Sequence, residues 1–149
     1  MALKDSLNLT GDSPALELVE KETTYKMPSI DGLTKQLKLK NQISPGGLAD
    51  ELRRNLVQPI ILGTGSEIKK ISVKEGQELK ANQQILILSD NFEDLPDMYG
   101  WTKENVEQFA EWQGLEVNFK GKGSKVVKQK EKVNTDLKKL KKITVTLGD

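Results

Sequence analysis

The sequence lacks two residue types that carry much of protein chemistry, since none of its 149 residues is cysteine or histidine. This absence excludes the zinc sites that are built on thiolates and imidazoles. It also excludes a Ser-His-Asp triad and a Cys-His pair. Because no disulfide pattern can be sought, the redox compartment stays undetermined. We predict no metal site and no cofactor in this chain.

Aromatic side chains and long apolar runs are also scarce. Aromatic residues make up 5% of the chain, whereas hydrophobic residues make up 36% and charged residues 30%. No apolar run approaches the ~18 residues that suggest a membrane-spanning helix, and no secretory signal sequence is visible at the start. The composition predicts a soluble globular chain with one ordinary domain or two small ones.

Charge is present in both signs but is unevenly distributed. Residues 90–114 contain seven acids and one base, whereas residues 115–149 contain ten lysines and four acids. The two segments therefore carry net charges of −6 and +6. Either these charges cancel within the fold, or the lysine-rich segment offers a basic face to an anionic partner.

An internal repeat is the most informative pattern in the chain. Residues 44–91 align without a gap on residues 102–149, and eight aligned positions are identical. Two of these identities are the glycine pairs Gly63/Gly121 and Gly65/Gly123. Matching glycines at a fixed spacing indicate a duplication.

Each copy of the repeat opens with a predicted helix. Ser44 and Thr102 are suited to cap the helices, and Gly114 is suited to end the second one. The apolar stripes at helical spacing are Leu48, Leu52 and Leu56 in the first copy, and Val106, Phe109 and Ala110 in the second. Alternating residues then predict strands. The fold class is α+β, with two tandem modules that each pack one α-helix on a small three-stranded antiparallel sheet.

The two copies differ on the outer faces of their predicted sheets. In the second copy this face carries Asn118, Lys120, Thr144 and Thr146, which suit water. The aligned residues of the first copy are apolar: Ile60, Leu62, Leu86 and Leu88. Such a face needs a cover. Three covers are possible: the second copy, the chain's own residues 31–43 or a neighbouring domain. Our leading hypothesis is that the face docks onto a neighbouring domain.

The second copy resembles the PASTA domain, a small module found beside penicillin-binding transpeptidases and in bacterial serine/threonine kinases of the cell envelope. The resemblance is carried by Leu95-Pro96-Asp97, Gly100-Trp101-Thr102, Gly114-Leu115, Gly123, Gln129 and the closing "ITVTLGD". The first copy resembles it less closely, with Met27-Pro28-Ser29 and Gly76 retained but Ile71 in place of Gln129. The resemblance implies a linker at residues 1–24, a first PASTA domain at 25–91 with an insert at 31–43, and a second at 92–149.

Strings such as "PDMYGWTKE" and "NQQILILSD" are also similar to the tail of a septal penicillin-binding transpeptidase. This implies a non-catalytic tandem that positions the enzyme in septal peptidoglycan synthesis and cell division, with weak binding of peptidoglycan stem peptide or β-lactam. The implied partners are peptidoglycan or muropeptide, β-lactam and the transpeptidase domain of the same parent chain. The implied location is the extracellular face of the membrane at the division septum, with the parent's membrane anchor elsewhere. The alternatives are a purely structural spacer or docking module, and the muropeptide-sensing ectodomain of a kinase.

Four side chains are candidate ligand-binding residues. Trp101 and Trp112 are of the type that stacks on sugars, with packing in the core as the alternative. Arg53 and Arg54 lie off the apolar stripe of their helix, so they are either solvated or available to a ligand or a neighbouring domain.

Several other motifs do not support an activity. Ser66-Glu67-Ile68-Lys69 matches the S-x-x-K pattern of penicillin-binding enzymes, but it follows a glycine turn and the partner motif K-[ST]-G is absent. Gly63-x-Gly65 lacks the G-K-[ST] of a phosphate loop. The acidic stretch 90–97 does not fit an EF-hand. The lysine-rich run 137–142 lacks interleaved aromatic residues, so we predict no nucleic-acid partner.

Overall fold

The elements of secondary structure fall into two units that repeat the same plan. The computed structural model describes residues 25–149, so the predicted linker of residues 1–24 lies outside the described residues. The first unit, residues 25–91, contains β1 (Tyr25–Lys26), α1 (Ile30–Gln36), α2 (Pro45–Arg54), β2 (Gln58–Leu62), β3 (Ile68–Ile71), β4 (Glu78–Leu79) and β5 (Gln84–Ser89). The second unit, residues 92–149, contains α3 (Lys103–Gln113), β6 (Glu116–Lys120), β7 (Lys125–Gln129), a 3-10 turn (Leu137–Lys139) and β8 (Lys142–Gly148).

The main helices begin at the residues that the sequence predicted. The Ser44 hydroxyl accepts a hydrogen bond from Gly47 N–H at 3.0 Å, and the Thr102 hydroxyl accepts one from Asn105 N–H at 3.3 Å. Each bond satisfies a backbone donor that the first helical turn leaves free. Gly114 ends α3 in the left-handed region, with φ of 69°.

The predicted apolar stripe of α2 is correct for two of its three members. Leu48 and Leu52 are fully buried, whereas Leu56 is 68% exposed. The helix ends at Arg54, and the chain enters the left-handed region at Leu56 with φ of 65°. This turn removes Leu56 from the helical face, so the prediction for that residue was wrong.

Both sheets are mixed rather than antiparallel, which corrects the predicted strand pairing. In the first unit the central strand β5 runs parallel to β2 and antiparallel to β3. In the second unit β8 runs parallel to β6 and antiparallel to β7. A short hairpin loop makes the two strands it joins antiparallel, whereas the long connection between the first and the central strand of each sheet lets these two pair in parallel. Alternating side chains alone do not distinguish these pairings.

The extra residues of the first unit form part of its own core. Lys26 pairs with Glu78 in the first unit, and Asp94 pairs with Asp136 at the equivalent place in the second. Between this bridge and the helix cap the first unit has residues 27–43, which include α1, whereas the second has only residues 95–101. Leu33 and Ile43 of this segment are buried with the apolar face of α2. The segment therefore does not cover the outer face of the sheet.

That outer face is covered by the second unit. Leu62 and Leu86 are buried in one cluster with Val106, Phe109 and other residues of the second unit, and Ile60 and Leu88 pack against the same cluster. Helix α3 contacts both β5 and β6, so it lies between the two sheets. The prediction that Ile60, Leu62, Leu86 and Leu88 dock onto an outside domain was therefore wrong. The chain itself buries Leu62 and Leu86 and partly covers Ile60 and Leu88.

Phe109 is the central side chain of this shared core. It is fully buried, and its ring meets Trp101 edge-on at 5.8 Å between centroids and Phe92 at 5.9 Å. Such contacts add to the energy of burial. Because the cluster also contains Leu62 and Leu86, the side chain links the second unit to the first sheet.

We predict that Phe109→Ala lowers the free energy of unfolding by about 3–5 kcal/mol and destabilises both units in one transition. Urea unfolding followed by tryptophan fluorescence measures the loss, and amide hydrogen exchange shows which strands open. Tyr99→Ala is the matched control, since Tyr99 is 69% exposed and surface changes of this kind stay within about 0.5 kcal/mol. Retained protection of β2 and β5 in Phe109→Ala would contradict the shared core.

Candidate functional site

The side chain of Gln84, at the start of β5, forms hydrogen bonds across the junction between the units. Its Nε2 donates a hydrogen bond to the carbonyl oxygen of Gly100 at 2.7 Å, and its Oε1 accepts one from Thr102 N–H at 2.9 Å. Asn105 Nδ2 donates to Gln84 Oε1 at 3.2 Å and lies 3.3 Å from the Gln84 carbonyl oxygen. Since Asn105 is only 7% exposed, these bonds fix the start of α3 on the first sheet.

A cleft of about 410 Å³ opens beside this junction, and we call it the amide cleft. Most of its walls are uncharged carboxamide side chains, with hydroxyls from Ser72 and Thr102. The carboxamides are Gln77, Asn82, Gln83, Gln84, Asn105 and Gln108. One acid, Glu104, and one base, Lys125, lie on the same walls. The cleft continues as a shallower depression towards Glu78 and Lys80.

Much of the hydrogen-bonding capacity of the amide cleft is free. Gln77 Oε1 accepts from Lys74 N–H at 3.2 Å, and Gln83 Oε1 accepts from Lys80 N–H at 2.9 Å, so both keep an unused NH₂ group. Within residues 25–149, the side chains of Asn82 and Gln108 form no hydrogen bond. Each carboxamide offers two donors and an acceptor. The cleft is therefore equipped to bind uncharged hydroxyl and amide groups.

The amide cleft is not equipped for catalysis. Its walls hold one carboxylate, that of Glu104. Its two hydroxyls accept hydrogen bonds from backbone N–H groups, Ser72 Oγ from Leu86 and Thr102 Oγ1 from Asn105, and neither is hydrogen-bonded to a base as a covalent mechanism needs. In the part of the chain that the structure describes, no group of three or more acidic side chains lies close enough together to hold a metal ion. What the arrangement supports is recognition.

The structure does not bring the four predicted ligand-binding residues together. Trp101 is 4% exposed and packs against Phe109, so its prediction as a sugar-stacking residue was wrong and the alternative, packing in the core, holds. Trp112 is partly buried against the same core. Arg53 and Arg54 are exposed on α2, where they pair with Asp50 at 3.2 Å and Glu51 at 2.8 Å. None of these four residues lines the amide cleft.

The carboxamides of the cleft were missed at the level of sequence. The string Asn82-Gln83-Gln84 is visible before a strand, but polar residues at such a position ordinarily face water. Asn105 and Gln108 stand one helical turn apart in α3, a spacing that places them on one face. Their convergence with the Asn82–Gln84 string depends on how the second unit packs on the first.

The glycine loop of the first unit surrounds one of the chain's own carboxylates. Asp90 Oδ1 accepts a hydrogen bond from Glu67 N–H at 3.0 Å, and Ser89 Oγ accepts one from Gly65 N–H at 3.1 Å. A Cβ atom on Gly65 would overlap the Asp90 carboxylate, so only glycine fits there. Ser66 lies in a bend outside any helix, unlike the serine of a penicillin-binding active site.

We predict that Gln84→Met lowers the free energy of unfolding by about 1–3 kcal/mol, since it leaves several polar groups at the junction without their partner. Methionine has a similar length, so the loss reports hydrogen bonding rather than volume. Urea unfolding and the exchange rate of the Thr102 amide measure the effect. Gln108→Met is the control, because the Gln108 side chain bonds to no described residue. Equal stability of the two variants would show that the junction does not depend on Gln84.

Asp90 is expected to make the stability of the fold depend on pH. The hydrogen bond from Glu67 N–H, helped by further backbone bonds and the nearby charge of Lys69, holds the pKa of Asp90 below its ordinary value of 3.8. A lowered carboxyl pKa stabilises the fold above the unfolded pKa, and this gain is lost as the pH falls through the folded pKa. We expect Asp90→Asn to be less stable than the parent at pH 6, with the gap in urea midpoint closing below about pH 4. Glu75→Gln controls for the loss of a surface carboxylate, and an unchanged gap for Asp90→Asn at low pH would refute the linkage.

Comparison with known proteins agrees with this architecture. Residues 93–149 match the model of the PASTA domain family. The second unit is therefore a PASTA domain, a non-catalytic module. Among residues 25–149, no helix is both long and apolar enough to cross a membrane.

The chain is also similar to penicillin binding protein 2X from Streptococcus thermophilus, whose crystal structure is known. The match has 46% sequence identity and a TM-score of 0.75, and it covers 85% of the present chain but 17% of that protein. The chain thus resembles the PASTA region of penicillin binding protein 2X rather than its catalytic domain. The resemblance to PASTA domains and to a penicillin-binding transpeptidase is confirmed.

Two structures of kinases from Staphylococcus aureus match more distantly. The three-PASTA-domain of a Ser/Thr kinase has 18% identity and a TM-score of 0.30, over 70% of the present chain and 62% of the kinase chain. The extracellular region of the Ser/Thr kinase PrkC has 17% identity and a TM-score of 0.30, over 84% and 46% of the two chains. At these values neither structure bears on the arrangement of the two units.

Proposed function

We propose that the chain is a tandem of two PASTA domains, residues 25–91 and 92–149, that follows a linker at residues 1–24 in a larger penicillin-binding transpeptidase. Three observations support the tandem. The strand order is the same in both sheets, and their parallel pairs have the same register, as in Ile60 with Leu86 and Asn118 with Thr144. The bridge that precedes each helix also recurs.

The tandem positions its parent enzyme by weak binding of peptidoglycan, on the extracellular face of the membrane at the division septum. The observation that carries this proposal is the amide cleft, an uncharged recognition surface at the junction of two domains that share a core. Glycan hydroxyls and the peptide groups of a stem peptide are the partners that carboxamides bind. A β-lactam that mimics the stem peptide is a ligand of the same class.

The binding of peptidoglycan is weak because the cleft is open and its walls are exposed to solvent. Asn82, Gln83 and Gln108 at its walls are exposed or half-exposed to water, so each new hydrogen bond replaces one to water and contributes only about 0.5–1.5 kcal/mol. The cleft has no apolar pocket that would bury a ligand deeply. A weak, repeated contact suits a module that must hold an enzyme at the wall without stopping its movement.

We expect a soluble peptidoglycan fragment to cause saturable shifts in an amide NMR map at the side-chain NH₂ groups of Asn82, Gln83 and Gln108. The double variant Asn82→Ala with Gln108→Ala removes two free carboxamides and should weaken binding about tenfold. The matched control is Asn41→Ala with Gln42→Ala, an exposed pair of the same residue types in the insert. No change of chemical shift at a millimolar concentration of the peptidoglycan fragment would refute the binding role.

A rigid spacer is the second candidate function, and a specific observation favours it. The units share one buried cluster around Phe109, and Gln84 adds hydrogen bonds across their junction. Such a junction keeps the tandem stiff, as a spacer requires. On this proposal the exposed Arg53 and Arg54 remain candidate contacts to the transpeptidase domain, and the tandem binds nothing small.

A further inference from the structure

We propose that the outer face of the second sheet carries a binding groove for the phosphoryl group of a phosphate ester. The groove has a volume of about 280 Å³, and its functional side chains are Lys120, Lys128, Lys130, Thr144 and Thr146. It is separate from the amide cleft, with which it shares no residue. The inference does not depend on the proposed peptidoglycan contact.

The sheet register places the cations around the two hydroxyls. Thr146 of the central strand pairs with Lys120 on one side and with Lys128 on the other. Paired residues project from the same face, and neighbouring strands lie about 4.8 Å apart. The two lysines therefore stand on either side of Thr146 in the groove. Lys130 lies beside Thr144, to whose carbonyl oxygen its N–H donates at 2.9 Å.

Thr144 provides an independent observation that favours a ligand on this face. It is 6% exposed and lines the groove, yet its hydroxyl forms no hydrogen bond with any residue in the range 25–149. Buried hydroxyls almost always have a partner, and leaving one without costs free energy. An acceptor oxygen from a bound ligand would satisfy this group.

The charge of the groove favours an anion. Three lysines and no acid line the groove, and the carboxylate of Glu131 beside it already accepts a hydrogen bond from Thr144 N–H at 2.9 Å. Among the described residues, none of the three lysines has a carboxylate oxygen within 4.0 Å. The groove therefore retains a positive excess that its own side chains do not neutralise.

The equivalent face of the first unit shows that this arrangement is not required by the fold. The positions that align with Lys120, Thr144 and Thr146 are Leu62, Leu86 and Leu88, which pack against the second unit. An ordinary solvated face needs polar residues, but it needs neither three cations in one groove nor a buried hydroxyl. A phosphoryl group meets both features, since it carries about one negative charge as a diester and about two as a monoester, with several acceptor oxygens. Lysine binds such a group as a point charge.

The test is an NMR titration of the whole chain at pH 7.5 and constant ionic strength, with inorganic phosphate and with a short oligomer of glycerol phosphate as separate probes. We expect saturable shifts at Thr144, Thr146 and Lys128 with both probes. Tighter binding of the oligomer would identify a phosphodiester chain as the source of the group, and equal binding per phosphate would identify a free phosphate. Acetate is the third arm. If acetate matches phosphate, or if no probe shifts these residues, the assignment is overturned.

Three variants, one of them a control, test which residues bind the phosphate. Lys120→Gln with Lys128→Gln should weaken binding of phosphate at least tenfold, whereas Lys138→Gln with Lys139→Gln removes the same charge outside the groove and should change it less than twofold. Thr144→Val removes the unpartnered hydroxyl at nearly constant shape, so it should fold at least as well as the parent and bind phosphate about threefold or more weakly. Equal weakening by both lysine pairs would show a diffuse charge effect and no site.

Discussion

The burial of α3 between two sheets is the constraint on which the rest of the structure depends. A small module has too little apolar surface to be very stable alone. Here one helix uses its apolar side chains twice, against its own sheet and against the first. Phe109 has no exposed surface at all, which is possible only because the first sheet closes over it.

Both candidate sites follow from this packing. The amide cleft lies where α3 meets the edge of the first sheet, because the Gln84 hydrogen bonds bring polar groups of both units to the same place. The lysine-lined groove lies on the second three-stranded sheet, which packs α3 through β6. The two three-stranded sheets thus differ in their outer faces. The first packs its outer face against the second unit, and the second has the lysine-lined groove on its own.

The apolar outer face of the first sheet makes the two units one packed body, since its leucines are buried in a core that both units share. Leu62 and Leu86 would be exposed on an isolated first unit, and an apolar patch of that kind favours association or aggregation. Gln129, one of the residues that carry the resemblance to the PASTA domain, acts within the second unit alone. Its Oε1 accepts from Met98 N–H at 2.8 Å and its Nε2 donates to the carbonyl oxygen of Glu131 at 3.0 Å, so it holds the entry segment on the sheet.

The sequence by itself determined the features that depend on near neighbours in the chain. Ser44 and Thr102 cap their helices because a cap acts within three residues. The aligned glycines revealed the repeat, and the four apolar residues from Ile60 to Leu88 showed that one sheet face needs a cover. Only the tertiary structure decided that α3 provides the cover, that the central strands pair in parallel with the first strands, and that Asn82 meets Asn105 and Gln108 in one cleft. These outcomes depend on contacts between residues far apart in the chain, and alternation along a strand is the same whichever partner it meets.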